Sequence, residues 1–197
     1  MKSSRKANGP DGTDVLKGMA AGFIGGLIAS WTMNRFQAFL SKATEATEDD
    51  EKPQGGKSSQ QGSEGKQKSQ SESQGESQES DDATIKTAAA ISEVIFDHKL
   101  TKSEKEIAGP AVHYAFGAIT GGLYGAVTEL APVISTGVGL PFGAVVWLVA
   151  DEAVVPAVGL SKSPTEYPLS IHAHALASHF VYGLTADIVR RAVRRAL

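Results

Sequence analysis

The sequence predicts an all-α, multi-pass membrane protein with about four transmembrane helices and glycine-rich packing faces. Four apolar stretches are each close to the roughly 20 residues that a helix needs to cross a bilayer. In two of them small residues recur every fourth position. A polar segment without any Ala, Val, Ile, Leu, Met, Phe, Trp, Tyr or Cys, Thr47–Asp82, separates the first stretch from the others. The chain's mean hydropathy of −0.13 therefore averages an apolar body with a polar insertion.

The first apolar stretch follows a short polar tail, residues 1–14, that carries three basic side chains. It covers residues 15–40, and it lacks the A-x-A-like site that would mark a cleaved signal peptide. Small residues spaced in this way allow two membrane helices to approach closely. They are predicted to form a packing face: Gly18, Gly22, Gly26 and Ser30.

The segment 41–82 is rich in Ser, Gln, Glu and Gly and holds five Lys against eleven Asp and Glu. Its balance of −6 leaves +3 for the rest of the chain, whose total is −3. With so little apolar surface to bury, it is predicted to be a disordered acidic linker. Residues 83–108 regain helical periodicity but are too polar to span, which predicts short amphipathic helices at the membrane surface. The pattern Thr101-x-x-Glu104 is typical of a capping box at a helix start.

The central stretch, Gly109–Pro132, is predicted to be the second span and begins a three-helix membrane body, residues 109–197. A second row of glycines, each four residues apart, lies on one helical face. One further step in each direction along that row reaches His113 and Glu129. The face is therefore smooth and has a titratable group at either end. The predicted packing residues are Gly117, Gly121 and Gly125.

Two further spans are predicted at residues 138–158 and 170–189. The third contains adjacent acidic residues, Asp151 and Glu152, and the fourth ends in four arginines. Basic residues near span ends mark the cytoplasmic side. With an even number of spans, both termini are predicted to be cytoplasmic and residues 41–108 exoplasmic.

The order of several residues resembles the YagU-like family of small bacterial inner-membrane proteins. The spacing that carries the resemblance is His113-x2-Phe116-x7-Tyr124-x4-Glu129-x2-Pro132, then Pro156-x2-Gly159-Leu160, then His179-x7-Asp187-x2-Arg190-Arg191, with Trp31-x2-Asn34 in the first span. The resemblance covers the membrane body and leaves out the acidic linker. It implies a location in the bacterial inner membrane, and it supplies no catalytic residues because the family is a domain of unknown function.

Ionisable residues inside the predicted spans are the candidates for function. Charged groups are expensive at the bilayer centre, so they usually face protein or water and are paired. One interpretation is structural, with hydrogen bonds across close-packed faces and Arg190 paired with Asp187. Another is a path for protons or ions, because histidine changes charge near neutral pH. The candidates are His113, Glu129, Asp151, Glu152, His172, His179, Asp187 and Arg190.

A zinc-dependent membrane enzyme is the competing hypothesis. His172 and His174, with Asp151, Glu152 or His113, offer nitrogen and oxygen ligands, although residues two apart point to different faces of a helix. Whether a metal binds stays open, and no cofactor is predicted. The absence of Cys excludes thiolate sites and disulfides. The expected partner is the lipid bilayer, the glycine faces favour self-association, and nucleic acid is not expected. The transported ion or small molecule is not specified by the sequence.

Overall fold

The computed structural model describes residues 11–50 and 83–197. Within these two ranges all regular structure is helical, which confirms the all-α class. Short 3₁₀ turns lie at Pro132–Ser135 and Pro164–Glu166. The main helices are α1 (Gly12–Asp50), α2 (83–96), α3 (Lys102–Leu130), α4 (Leu140–Ala157) and α5 (Leu169–Ala196). Most of the polar tail and linker residues 51–82 lie outside the described residues.

Helix α1 is longer at both ends than the predicted span, residues 15–40. It begins at Gly12 because Asp11 caps it, its Oδ1 accepting a hydrogen bond of 2.9 Å from the Asp14 amide. It continues through residues 41–50, which the composition assigned to the disordered linker. The structure has these ten positions at the end of α1. They contain Ala, Glu and Lys, which are good helix formers, and the first helix-breaking residue, Pro53, comes later.

Helix α3 is a single helix across the predicted boundary at Gly109. The capping box is present, with the Glu104 amide 3.4 Å from Thr101 Oγ1 and the Thr101 amide donating to Glu104 Oε2 at 2.7 Å. Pro110 lies inside the helix without ending it. The last part of the predicted amphipathic segment, residues 102–108, is therefore continuous with the central stretch. Proline lacks only its own amide donor, and a long helix can retain its other hydrogen bonds.

Helix α4 contains a π-helical turn, Ala150–Val154, at the two adjacent acidic residues. A π-turn inserts an extra residue into the helical repeat and rotates the side chains that follow it. Pro156 lies just after this turn, in the last helical segment, Val155–Ala157. The wide turn therefore sets the direction in which Asp151 and Glu152 leave the helix.

The described chain divides into two compact units. The first contains residues 11–32, Tyr114–Val146 and His179–Leu197. The second contains residues 33–50, 83–113 and Trp147–Ser178.

In the first unit, the glycine rows of α1 and α3 face each other. A Cβ added at Gly22 would collide with the Gly121 carbonyl oxygen, and one at Gly26 with that of Gly117. At one end of the contact Gly18 lies against Gly125. As the residue number rises along α1, the number of the glycine it contacts on α3 falls, so the two helices are antiparallel. The glycine rows of α1 and α3, from which self-association was predicted, thus pack against each other within one chain.

A second close contact in this unit joins α4 to α5. Cβ atoms at Gly139 and Gly143 would meet the carbonyl oxygens of Gly183 and His179, respectively. Gly139 also has a φ of +79°, a conformation that side chains rarely adopt. Helix α1 reaches α5 through Gly25, which lies against the Ala186 carbonyl. Four helical segments therefore pack at distances that only very small residues permit.

In the second unit, α2 packs through its small residues. Ala83, Ala88 and Ser92 are buried. Lys86 donates to the Leu160 carbonyl oxygen at 3.0 Å, which ties α2 to the loop after α4. Helix α2 thus has one packed face and one exposed face.

Two helices of the described chain are long and apolar enough to cross a membrane, Gly12–Ala43 and Leu140–Ala157. The other two predicted spans, in α3 and α5, do not reach the same mean hydropathy, so the four-span arrangement is not confirmed. Helices α3 and α5 contain glycine, serine, histidine and tyrosine in place of large aliphatic residues, and this lowers their mean hydropathy. The sequence prediction had used length and the absence of charge instead.

Candidate functional site

The most completely buried side chain with a charge is Asp187 on α5, which is 0% exposed. Arg190 donates to its Oδ1 from Nη2 at 2.8 Å and from Nε at 3.2 Å. Arg191 donates to Oδ2 from Nε at 2.7 Å. From α3, the Tyr124 hydroxyl donates to Oδ1 at 3.1 Å. Two guanidinium groups and a phenol therefore satisfy one buried carboxylate, as a charge of this kind requires.

Aromatic rings surround this group. Tyr124 stacks on Phe142 of α4 with ring centroids 4.1 Å apart, and the Arg190 guanidinium lies 5.5 Å from the Tyr124 ring centroid. Arg191 donates to the Ser135 carbonyl oxygen at 2.7 Å, which fixes the turn between α3 and α4. Nearby, the buried Tyr182 donates to the Gly117 carbonyl oxygen at 2.7 Å. We call Tyr124, Asp187, Arg190 and Arg191 the aspartate cluster; it joins α3 to α5, and Phe142 connects α4 to it by stacking on Tyr124.

A second ion cluster in the first unit joins α1, α3 and α5. Arg194 donates to Glu129 Oε1 at 2.9 Å and to Asp14 Oδ1 at 2.8 Å. The hydrogen bond to Glu129 is the main cause that raises the pKa of Arg194. One turn along α1, Lys17 donates to the Leu197 carbonyl oxygen at 2.9 Å. The amino end of α1 and the carboxyl end of α5 are therefore neighbours.

The second unit contains a short contact between Glu152, on the π-turn of α4, and His172, in the first part of α5. Glu152 Oε1 lies 2.6 Å from His172 Nδ1. The other ring nitrogen, Nε2, lies 3.0 Å from the Pro164 carbonyl oxygen. The edge of the Tyr167 ring faces the imidazole, with centroids 6.4 Å apart. Both side chains of the pair are largely buried, at 17% and 19% exposure.

The corner between α2 and α3 carries a third pair. His98 Nε2 lies 3.2 Å from Glu104 Oε2. Hydrogen bonds from the Thr101 amide and hydroxyl, and then from His98, lower the pKa of Glu104 to about 2. Since these groups are exposed, the corner is a helix cap rather than an enclosed site.

The structure divides the predicted site residues between the two units. The candidates on the fourth predicted span are divided, with His172 in the second unit and His179, Asp187 and Arg190 in the first. The Asp187–Arg190 pair that the spacing predicts is present. His179 is buried, Asp151 is exposed and His113 is half-buried.

Sequence reasoning missed several members of these clusters. Tyr124 is central to the aspartate cluster, although it entered the sequence argument only through the family resemblance. Arg191 and Arg194 were interpreted as topology markers, yet they pair with Asp187, Glu129 and Asp14. A hydroxyl-bearing ring within an apolar stretch is a signal that could have identified Tyr124, because a buried phenol usually needs a hydrogen-bond partner.

No three His, Asp or Glu side chains among residues 11–43 and 83–197 are grouped so that they could hold a metal ion. Glu152 and His172 are two such groups in contact, and structural or catalytic zinc sites use three or four protein ligands. The predicted pairing of His172 with His174 and an acidic residue thus gives no site in the part of the chain described here.

Comparison with known proteins gives a family but no activity. Residues 80–188 match a family described as a protein of unknown function, DUF1440. No curated protein matches the chain, and no solved structure matches it. The match covers more than half of the chain, including α2, α3, α4 and most of α5. The chain therefore belongs to the DUF1440 family of proteins of unknown function.

Proposed function

We propose that this protein is a YagU-like, multi-pass protein of the bacterial inner membrane with a non-enzymatic role. The observation that carries the proposal is the inverted distribution of its side chains. Buried positions are occupied mainly by Gly and Ala, together with Ser and ionisable residues, whereas large apolar side chains such as Phe23, Leu123 and Ile188 are exposed. In water, so many exposed apolar side chains would favour aggregation. In a bilayer, lipid covers them.

Four spans with both termini in the cytoplasm agree best with the first unit. Its α1 and α3 segments are antiparallel, and so are α4 and α5. The ion pair between Arg194 and Asp14 supports a location of both ends on the same side of the membrane. The modest hydropathy of α3 and α5 is expected for helices that contact more protein than lipid, because their inner faces use glycine and polar residues.

The aspartate cluster and the Glu152–His172 pair are suited to different roles. The first is structural and the second is linked to protons. Asp187 has both oxygens occupied by arginine donors, so the aspartate cluster serves to lock α3, α4 and α5 together. Glu152 and His172 are joined by a short contact of 2.6 Å, and both groups can bind or release a proton, so they are the better candidates for proton handling. No third ligand accompanies them in the described chain, and the zinc-enzyme hypothesis therefore has no comparable support.

Reporter fusions test the membrane arrangement directly. A reporter that is active only outside the cytoplasm is expected to be active when inserted after Ser71 and silent when fused after Leu197. The matched control is a cytoplasmic reporter at the same two positions, with the opposite pattern. Activity of the first reporter when it is fused after Leu197 would contradict the four-span arrangement. Recovery of the parent chain in the soluble fraction would contradict the membrane proposal.

A further inference from the structure

We infer that Glu152, His172 and the Pro164 carbonyl form a proton-binding site that holds the loop between α4 and α5 closed. The inference deepens the proton-linked role proposed above and rests on it for its biological meaning. It names the ligand, a single proton, and the segment that responds to it, residues 158–168.

Two contacts of the imidazole, one at each ring nitrogen, each require a hydrogen. A carbonyl oxygen can only accept, so Nε2 must carry a hydrogen toward Pro164. The 2.6 Å contact between Nδ1 and Glu152 Oε1 then requires one more hydrogen between these two atoms. That hydrogen belongs either to an imidazolium facing a carboxylate or to a carboxylic acid facing a neutral imidazole. In both descriptions the pair contains one shared proton and has no net charge.

Loss of one proton changes the contact with Pro164 from attraction to repulsion. A base in solvent takes one hydrogen from the pair, whose charge changes from zero to −1. The remaining ring hydrogen stays on Nδ1, because there it donates a charge-assisted hydrogen bond to the Glu152 carboxylate. The Nε2 lone pair then faces the Pro164 carbonyl oxygen at 3.0 Å with no hydrogen between them. Because both side chains of the pair are largely buried, water cannot screen this contact without entry into the site. Separation of the imidazole from the Pro164 carbonyl is the expected response.

The loop is connected to this pair at its middle. His172 contacts the Pro164 carbonyl and faces the Tyr167 ring, whose hydroxyl accepts a hydrogen bond from the Lys162 amide at 3.2 Å. When the imidazole moves, it loses the contact that holds Pro164. The loop should therefore become more accessible as the proton leaves.

Other titratable groups belong to the segments that make up this unit and contribute to the local field. They lie on α1, α2, α3, α4, the loop and α5. They include Arg35, Lys86, His113, Asp151, Lys162, Glu166 and His174. Their charges shift the pH at which the pair releases its proton, but they do not replace the hydrogen that Nε2 donates to Pro164.

Limited proteolysis in detergent tests the site without any requirement for transport. Lys162 is exposed in the loop, so trypsin cleavage after this residue reports loop opening. For the parent, cleavage is expected to rise severalfold between about pH 6 and pH 9, with the protease activity at each pH calibrated on an unfolded peptide. The Glu152→Gln variant can still donate a hydrogen bond to Nδ1 but cannot share a proton. Its cleavage should depend little on pH.

Glu166→Gln is the matched control. Glu166 lies in the same loop, where its side chain accepts from the Ser163 amide at 3.3 Å. This variant is expected to change cleavage at every pH and to retain the parent's pH dependence. Nitrogen NMR of histidine-labelled protein, with His172→Gln used to assign the signals, should show one ring nitrogen that stays protonated and one that loses its hydrogen. Equal pH dependence in the parent and Glu152→Gln, or a His172 ring that does not titrate between about pH 5 and pH 10, would overturn the inference.

These outcomes are separate from those that test the membrane proposal. If the reporter fusions fail and the loop still opens with the Glu152-dependent profile, the proton site stands and the membrane role falls. If the fusions succeed and the loop is insensitive to pH, the membrane proposal stands and the proton site falls.

Discussion

Alanine substitutions at two adjacent glycines of α3 provide a sensitive test of the packing between α1 and α3. A Cβ at Gly121 would lie 2.7 Å from Gly26 Cα and 2.9 Å from Gly26 N, whereas ordinary contacts are 3.4–4 Å. Helix α1 would have to move by roughly 1 Å to restore carbon–carbon contact distances. A Cβ at Gly122 would lie 3.5 Å from the Met19 carbonyl oxygen and 3.6 Å from its Cγ, which needs no movement.

The comparison isolates the interhelical contact. Both variants gain the same helix propensity, about 0.8–1.0 kcal/mol for glycine to alanine, so this contribution cancels. Overpacking costs about 1–3 kcal/mol. Gly121→Ala should therefore be less stable than Gly122→Ala by about 1–3 kcal/mol in free energy of unfolding. The assay is equilibrium unfolding in mild detergent, followed by circular dichroism. Equal stability of the two variants would refute the close contact between the glycine rows.

Three further outcomes are expected. Asp187→Asn should reduce the free energy of unfolding by about 3–5 kcal/mol, because the buried Arg190 and the partly exposed Arg191 lose their counter-charge. Arg195→Gln, at an exposed position on the same helix, should change it by less than about 0.5 kcal/mol. Similar melting temperatures for the two variants would contradict the role of the aspartate cluster. Glu104 has a pKa lowered from 4.5 to about 2, so its stabilisation of the α3 cap is complete above pH 4.5 and is lost as the pH falls toward 2. Hydrogen exchange at the Thr101 amide should accelerate relative to neighbouring amides over that range in the parent but not in Glu104→Gln, and an acid response retained in the variant would argue against this assignment. His179→Asn should cost only about 0.6 kcal/mol, the average for an interhelical hydrogen bond in a membrane; unfolding measurements that give a loss of several kcal/mol would show that His179 does more than link helices.

The helical class and the positions of the small residues could be predicted because each depends on periodicity within one segment. The partner of each glycine row could not, because the spacing of Gly117, Gly121 and Gly125 does not specify which helix lies against them. Composition misplaced the end of α1. Residues 41–50 are polar, and polarity indicates exposure to solvent rather than absence of a helix.

The candidate site shows the same division between local and distant contacts. Asp187 and Arg190 are three residues apart, so their pairing follows from helical geometry. Tyr124 and Asp187 are 63 residues apart, and Glu152 and His172 are on different helices. The direction of Glu152 also depends on a π-turn, for which the sequence gives no reliable signal. These contacts could be identified only from the three-dimensional structure.

Spin labels on α3 and α5 test the central claim, that the large apolar side chains face lipid. The chain has no native cysteine, so Leu123→Cys and Ile188→Cys each provide a single labelling position, at side chains that are 59% and 52% exposed. In liposomes, collision with oxygen, which concentrates in the bilayer, is expected to be frequent at both positions, and collision with a water-soluble nickel complex rare. A label at Lys162→Cys should show the opposite preference. Frequent collision with the nickel complex at Leu123→Cys and Ile188→Cys would contradict the account.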